Sequence, residues 1–251
     1  AKVLPEGETD WQAHRPLGIS CAAVCTRDSA VTGLSFPDAV LWFGHKLESG
    51  YQPAMSKAEC AELVKQLRHL TEAHGFTIAT VNGVGFDFQI LAEESGMWRE
   101  CADLALNHHC DLMLMSVCGK GWRTGLDAFA VGAGVESKLK EVALNDGSIL
   151  QGMDGAKAPE LWAKGEYEAV LACLKQDVIA TLQAAETAVS RRRLAWTSST
   201  GRDWWVRLNL DGTLPTVAEM LTWPRRDVSW LDDPPNPLEI CGWALELIKK
   251  E

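Results

Sequence analysis

Two aspartates offer most of the chemistry in this sequence. Asp87 sits in the string NGVGFDF at Asn82–Phe88. Gly83 and Gly85 allow a tight turn with the backbone close to another group. Asp87 then falls in the first turn of the following helix, with Phe86 and Phe88 on either side to anchor the turn and leave the carboxylate facing a cleft. Alone, Asp87 also reads as a helix-start aspartate favoured by the helix dipole; the whole string is what points to function. Asp177 lies on the apolar stripe of a long helix, with Val170, Leu174, Val178, Thr181 and Ala185. A carboxylate there is costly unless it is paired or bound to a metal. The alternative is a place at the stripe's edge beside a Lys or Arg. Two carboxylates from separate helices are hard ligands that suit Mg²⁺ or Mn²⁺. Two such ions, about 3.5–4 Å apart, activate a water and stabilise the leaving oxygen of a phosphodiester.

The elements that must position these acids alternate between strand and helix. LGISCAAVC (17–25) is apolar enough for a strand buried on both faces, and AVLWFG (39–44) reads as a second. A turn is expected at Arg27–Asp28. Ser56 and Glu59 form a capping-box pattern, and Gly75 ends the helix that follows. FTIATV (76–81) reads as the strand that delivers NGVGFDF, and FDFQILAEES as a helix. WRECADLALN (98–107) reads as a helix, CDLMLM (110–115) as a strand and TGLDAFAVGAGV (124–135) as a short helix. A Gly-rich loop runs to about residue 155, and a long helix extends from about Ala158 or Glu166 to Arg193. The alternation predicts an α/β architecture with a five- or six-stranded mixed sheet flanked by helices.

From Ala195 the character changes. Six of the eleven tryptophans lie at 196, 204, 205, 223, 230 and 243, and prolines cluster at 234, 235 and 237. The reading is a main domain over 1–194 and a C-terminal extension over 195–251 packed on it, because so short a piece makes a marginal core alone.

The formal net charge of −10 argues against general attraction to duplex DNA. It does not exclude a nuclease, since metal sites need clustered acids and a local basic strip can guide a strand. Arg191, Arg192 and Arg193 form one strip and Arg225 with Arg226 another; both also read as solvated surface charge. The eight cysteines show no CxxC and suit small buried hydrophobes in a reducing compartment. No apolar run reaches the ~18 residues of a membrane helix, and AKVLPEGETDW has no signal pattern. The expectation is a cytoplasmic protein without a membrane partner. The string His108, His109, Cys110, Asp111 suits a strand entry better than zinc, because adjacent strand residues point to opposite faces. Asp111 and Asp127 have no evident role beyond a place near a cleft. Lys138 and Lys140 read as solvated loop charges or phosphate contacts.

NGVGFDF and CLKQD (173–177) resemble the second and third motifs of DEDD-type 3′–5′ exonucleases of the ribonuclease-H-like superfamily. The resemblance spans most of residues 17–188. PLGISCAA (16–23), GLD (125–127) and the Trp-rich tail are similar to uncharacterised bacterial ribonuclease-H-like proteins. The resemblance implies a ribonuclease-H-like mixed sheet, a two-metal Mg²⁺ or Mn²⁺ site, and hydrolysis of single-stranded DNA or RNA from the 3′ end. It makes Asp87 and Asp177 the metal-binding and catalytic acids, with Asn82, Gly83 and Phe86 on the substrate side. The family's opening Asp-x-Glu strand has no counterpart here: Glu8 and Asp10 have the spacing, but EGETDW lacks a strand pattern. A further strand upstream is therefore expected. Cys173 occupies the catalytic position where the family has a water-orienting Tyr, and a thiol is a weaker donor. Ala172 stands where a His-type motif would need His. These departures keep two alternatives open: a catalytically degenerate module that binds nucleic acid or a protein partner, and an interaction protein that uses the Trp-rich tail.

Overall fold

A computed structural model describes residues 2–5, 7–8, 10–27, 39–44, 50–153 and 155–249. Near the start, the Asp10 side chain caps a 3-10 turn at Trp11–His14 by accepting the Gln12 N–H. Strands β1 (Cys21–Cys25) and β2 (Ala39–Phe43) pair antiparallel, Cys21 opposite Phe43. Asp28, half of the expected turn after β1, lies outside the described residues.

Helix α1 (Lys57–His74) follows its local signals closely. Ser56 and Glu59 form the reciprocal capping box, and Gly75 closes the helix in the left-handed region at φ +67°. Cys60, Leu63, Val64, Leu67 and Thr71 form its buried face. Strand β3 (Ile78–Thr80) leads through a turn into α2 (Asp87–Ser95) and α3 (Trp98–Asn107), and the chain returns as β4 (His109–Asp111), parallel to β3. A helical crossover is what a parallel pair requires.

Helices α4 (Leu112–Lys120) and α5 (Leu126–Ala133) come next, then a hairpin of β5 (Glu141–Ala143) and β6 (Ile149–Gln151). Helix α6 (Ala158–Ala163) precedes the long α7 (Tyr167–Arg191), which packs on β1, β2, β3, β5 and α5. A second hairpin, β7 (Arg193–Thr197) and β8 (Asp203–Arg207), leads to α8 (Val217–Met220), α9 (Pro237–Ile240) and α10 (Gly242–Ile248).

The protein is thus mixed α/β, with helices around small sheets. Several expectations need correction. Among the described residues the strands form four two-stranded sheets, not one of five or six strands. CDLMLM is a strand only to Asp111; from Leu112 it is helix, because the Asp111 side chain accepts the Met113 and Leu114 N–H groups and caps α4. An apolar run buried on every face carries no period to separate strand from helix. The Gly-rich loop before residue 155 contains the β5–β6 hairpin. The region after Ala195 contains most of a regular hairpin, and β7 runs across residue 194.

One core cluster joins α1, α2, α3 and α4 to the C-terminal region: Leu104, Leu112 and Met115 share it with Trp196, Val217, Met220 and Ala244. A second, around Leu161, Trp162, Val170 and Leu171, holds the start of α7 against Leu41, Phe43 and Tyr51. The eight cysteines are free thiols. Among the described residues, no helix is long and apolar enough to cross a membrane.

Candidate functional site

The turn between β3 and α2 is built around a carboxylate that the sequence reading left without a role. Asp111 is 1% exposed. Its oxygens accept the N–H groups of Asn82 at 3.0 Å and Val84 at 3.1 Å, and those of Met113 and Leu114 at the start of α4. One buried side chain thus ties the turn to the neighbouring helix. Four N–H donors around one carboxylate are what make its burial tolerable. The signal available in the sequence was an Asp directly before the helix-forming run LMLM, an N-cap pattern.

A second chain of hydrogen bonds fixes the turn from below. Gly83 N–H donates to Thr80 Oγ1 at 2.9 Å, and Thr80 Oγ1 lies 2.7 Å from His109 Nε2. His109 Nδ1 lies 3.2 Å from the Ala105 carbonyl, so the neutral Nδ1–H tautomer satisfies every atom. Desolvation holds the His109 pKa below its ordinary value, against the Asp111 charge. Asn82 has φ +71°, a left-handed conformation that Asn tolerates. A Cβ at Gly83 would lie 2.1 Å from Thr80 Oγ1, and one at Gly85 2.6 Å from Asn82 Oδ1. Gly83 has no room for a side chain against Thr80, whereas at Gly85 the Asn82 amide would have to swing away. From above, Trp243 Nε1 of α10 donates to the Val84 carbonyl at 2.8 Å. Phe86 is half-open to solvent, its ring edge-on to Trp11 at 5.0 Å.

Asp87 opens α2 at this turn and is exposed. Desolvation by surrounding protein, and secondarily the Asp111 charge, push its pKa up to about 7 against a lowering backbone hydrogen bond. The residue is accessible, so water or an ion can reach it.

Asp177 occupies a different electrostatic neighbourhood. It is half-buried, and desolvation raises its pKa while Lys138 lowers it and Asp127 raises it. Lys138 is placed by the loop before β5, where Ser137 Oγ donates to Asp127 Oδ1 at 2.5 Å and Gln176 Nε2 donates to the Ser137 carbonyl at 3.0 Å. Cys173 is half-buried beside Asp177; desolvation and the Asp177 charge raise its thiol pKa, and Lys138 opposes them. The expected inward stripe of α7 is also displaced. Val170 and Ala185 are buried, but Leu174, Asp177, Val178 and Thr181 are only half-buried, while Ala180, Ala184 and Ala188 take the inner positions. Of the other candidates, Gly83 is buried with its N–H already used, and Asn82 is half-buried. Glu8 and Asp10 bond locally, Glu8 Oε1 accepting the Asp10 N–H.

Carboxylate oxygens suit a hard divalent cation, and Asp87 presents them to solvent. Among the described residues, no three His, Cys, Asp or Glu side chains group to hold a metal ion.

Asp87 also gives a pH signature. Its pKa is raised from 3.8 to about 7, so between those values the folded state binds the proton more tightly than the unfolded chain does. Stability from this group is present at low pH and lost as pH rises through the window. In chelator-treated buffer, Asp87→Asn is expected to flatten the urea-midpoint curve over that window and to exceed wild type at about pH 8. An unchanged slope in the variant would assign the titration to another group.

Comparison of the chain with protein-family models, curated proteins and solved structures finds no match.

Proposed function

We propose that the chain is a DEDD-type, ribonuclease-H-like module: a metal-dependent 3′–5′ exonuclease acting on single-stranded DNA or RNA ends, working in the cytoplasm. The observation that carries this reading is Asp87, an exposed carboxylate at the head of α2, delivered by a turn that Asp111 and Thr80 hold in place. A positioned hard oxygen donor of this kind is what Mg²⁺ or Mn²⁺ takes, completing its shell with water and substrate phosphate. Further support is the parallel β3–β4 pair and the antiparallel β1–β2 pair, both packed on α7, which carries Asp177.

In this reading Asp87 would hold the metal, with Asp177 as the second acid that the resemblance implies; the charges felt by the two carboxylates come from different neighbours. When bound, the ion supplies Lewis acidity and a water of lowered pKa. The chain's own groups do the rest. Asp111 and Thr80 hold the turn that delivers Asp87. The exposed Phe86 ring offers a stacking face for a terminal base.

The test uses chelator-washed protein, end-labelled single-stranded DNA and RNA, and Mn²⁺. Stepwise shortening from the 3′ end is expected, and Asp87→Asn should slow it by about a hundredfold or more. No degradation, or equal degradation by the variant, rejects the reading.

One observation favours the degenerate binding module instead. Lys138 faces Asp177 and Cys173, so a fixed ammonium already answers the charge that a metal would take. Calorimetric titration with Mn²⁺ separates the two: absence of binding at millimolar metal selects the binding module.

A further inference from the structure

The outer face of the β7–β8 hairpin carries a feature that the carboxylate site does not use. In the hairpin register, Leu194 pairs with Val206 and Trp196 with Trp204, and these side chains turn toward the core. The alternate positions turn outward: Arg193 opposite Arg207, and Ala195 opposite Trp205. Trp205 is 46% exposed. Arg193 lies 5.9 Å and Lys120 5.7 Å from the centre of its ring.

Recesses flank this tryptophan strand. One, of about 340 Å³, is lined by Arg207, Arg226 and Trp223. The other, of about 480 Å³, is lined by Arg191, Arg193 and Trp205. Parts of both basic strips of the sequence therefore converge on one hairpin. Among the described residues, no ion pair neutralises Lys120, Arg191, Arg193, Arg207 or Arg226. Asp203 also lines the second recess, its Oδ1 accepting the Thr197 hydroxyl at 2.7 Å, so that recess carries two arginines against one carboxylate.

A solvated hairpin face does not need this composition. Like charges directly opposite on paired strands destabilise the pairing, yet Arg193 and Arg207 are partners. Trp205 keeps nearly half of its surface exposed between Arg193 and Lys120, which places an aromatic face and two cations side by side. The chain as a whole carries −10, so the basic face stands against the general charge. An anion lying along the hairpin relieves the arginine repulsion, and a flat base covers the indole. Backbone phosphates joined to stacking bases answer both at once.

We propose that the β7–β8 face binds single-stranded nucleic acid, with Trp205 stacking a base and Arg193, Arg207 and Arg226 holding the flanking phosphates. This goes beyond the carboxylate site and does not depend on it: the hairpin binds whether or not Asp87 supports hydrolysis.

The experiment is fluorescence anisotropy on the full chain with labelled oligo-dT and oligo-U of about 20 nucleotides, a span of the order of single-strand site sizes. EDTA is present throughout. Binding that weakens with salt is expected. Trp205→Ala should weaken it about tenfold or more, and Trp205→Tyr should restore most of it. Arg193→Gln with Arg207→Gln should weaken both oligonucleotides and lower the salt slope by about two. Lys164→Gln, an exposed charge at the end of α6, should bind as wild type. Far-UV circular dichroism identifies the variants that fold; if the double arginine variant does not, Lys120→Gln takes its place with the same expected direction. The proposal is overturned if wild type does not bind, if folded Trp205→Ala binds as wild type, or if polyglutamate or a duplex competes equally. Loss of binding in Asp87→Asn alone would place the strand at Asp87 and overturn it as well.

Discussion

Asp111→Ala is expected to destabilise the fold by about 3–5 kcal/mol, measured as a drop in the urea midpoint at constant slope. The carboxylate is 1% exposed and accepts the N–H groups of Asn82, Val84, Met113 and Leu114. Truncation leaves those donors facing a small void, with no acceptor in reach. It also removes the cap of α4, itself worth about 1 kcal/mol. Asp111→Asn is the informative companion. It keeps Oδ1, which accepts the N–H groups of Asn82, Met113 and Leu114. Its amide nitrogen then meets the Val84 N–H donor to donor, and a loss of about 1–3 kcal/mol is expected. In both variants the turn before Asp87 loosens, so any activity that depends on Asp87 falls with stability. A loss below about 1 kcal/mol for the alanine variant would contradict the assignment of Asp111 as the tie between the turn and α4.

Gly132→Ala is expected to cost about 3 kcal/mol, while the same substitution at Gly242 should raise stability by about 0.5–1 kcal/mol. Both glycines are helical, so the contrast isolates packing from helix propensity. A Cβ on Gly132 of α5 would lie 2.3 Å from Trp196 Cα and 2.6 Å from both Trp196 N and the Ala195 carbonyl oxygen. Those atoms are backbone of β7, held in register with β8, so nothing flexible can give. The helix must lift from the hairpin, and Arg191, which donates to the carbonyls of Gly132 and Ala133, is displaced with it. A Cβ on Gly242, at the start of α10, meets nothing within 4 Å. Thermal melts of the two single variants read both signs. Equal and small effects would mean that α5 and β7 are not packed backbone to backbone.

The sequence-legible parts of this protein share one property: their causes are local. The capping box of Ser56 and Glu59 and the left-handed Gly75 define α1 within a few residues of its ends. The turn before Asp87 declared itself through Gly83 and Gly85, and Thr80 and Asn82, the neighbours that a side chain there would meet, lie within three residues. The long helix was legible from its length and apolar positions, although its buried face lies elsewhere than the stripe suggested. The strand–helix boundary at Asp111 was missed because the run that follows is buried on nearly every side, which erases periodicity.

By itself, then, the sequence determined the local frame: where α1 and the Asp87 turn begin and end, and which aspartates are candidates. Tertiary structure alone decided the rest. It joined Asp111 to Asn82 across 29 residues and Trp243 to Val84 across 159. It set Lys138 against Asp177 and brought Arg193 and Arg226 to one hairpin face. The physical reason is that hydrogen bonds, charge pairs and basic faces of this kind depend on distance in space, and composition and periodicity encode only distance along the chain.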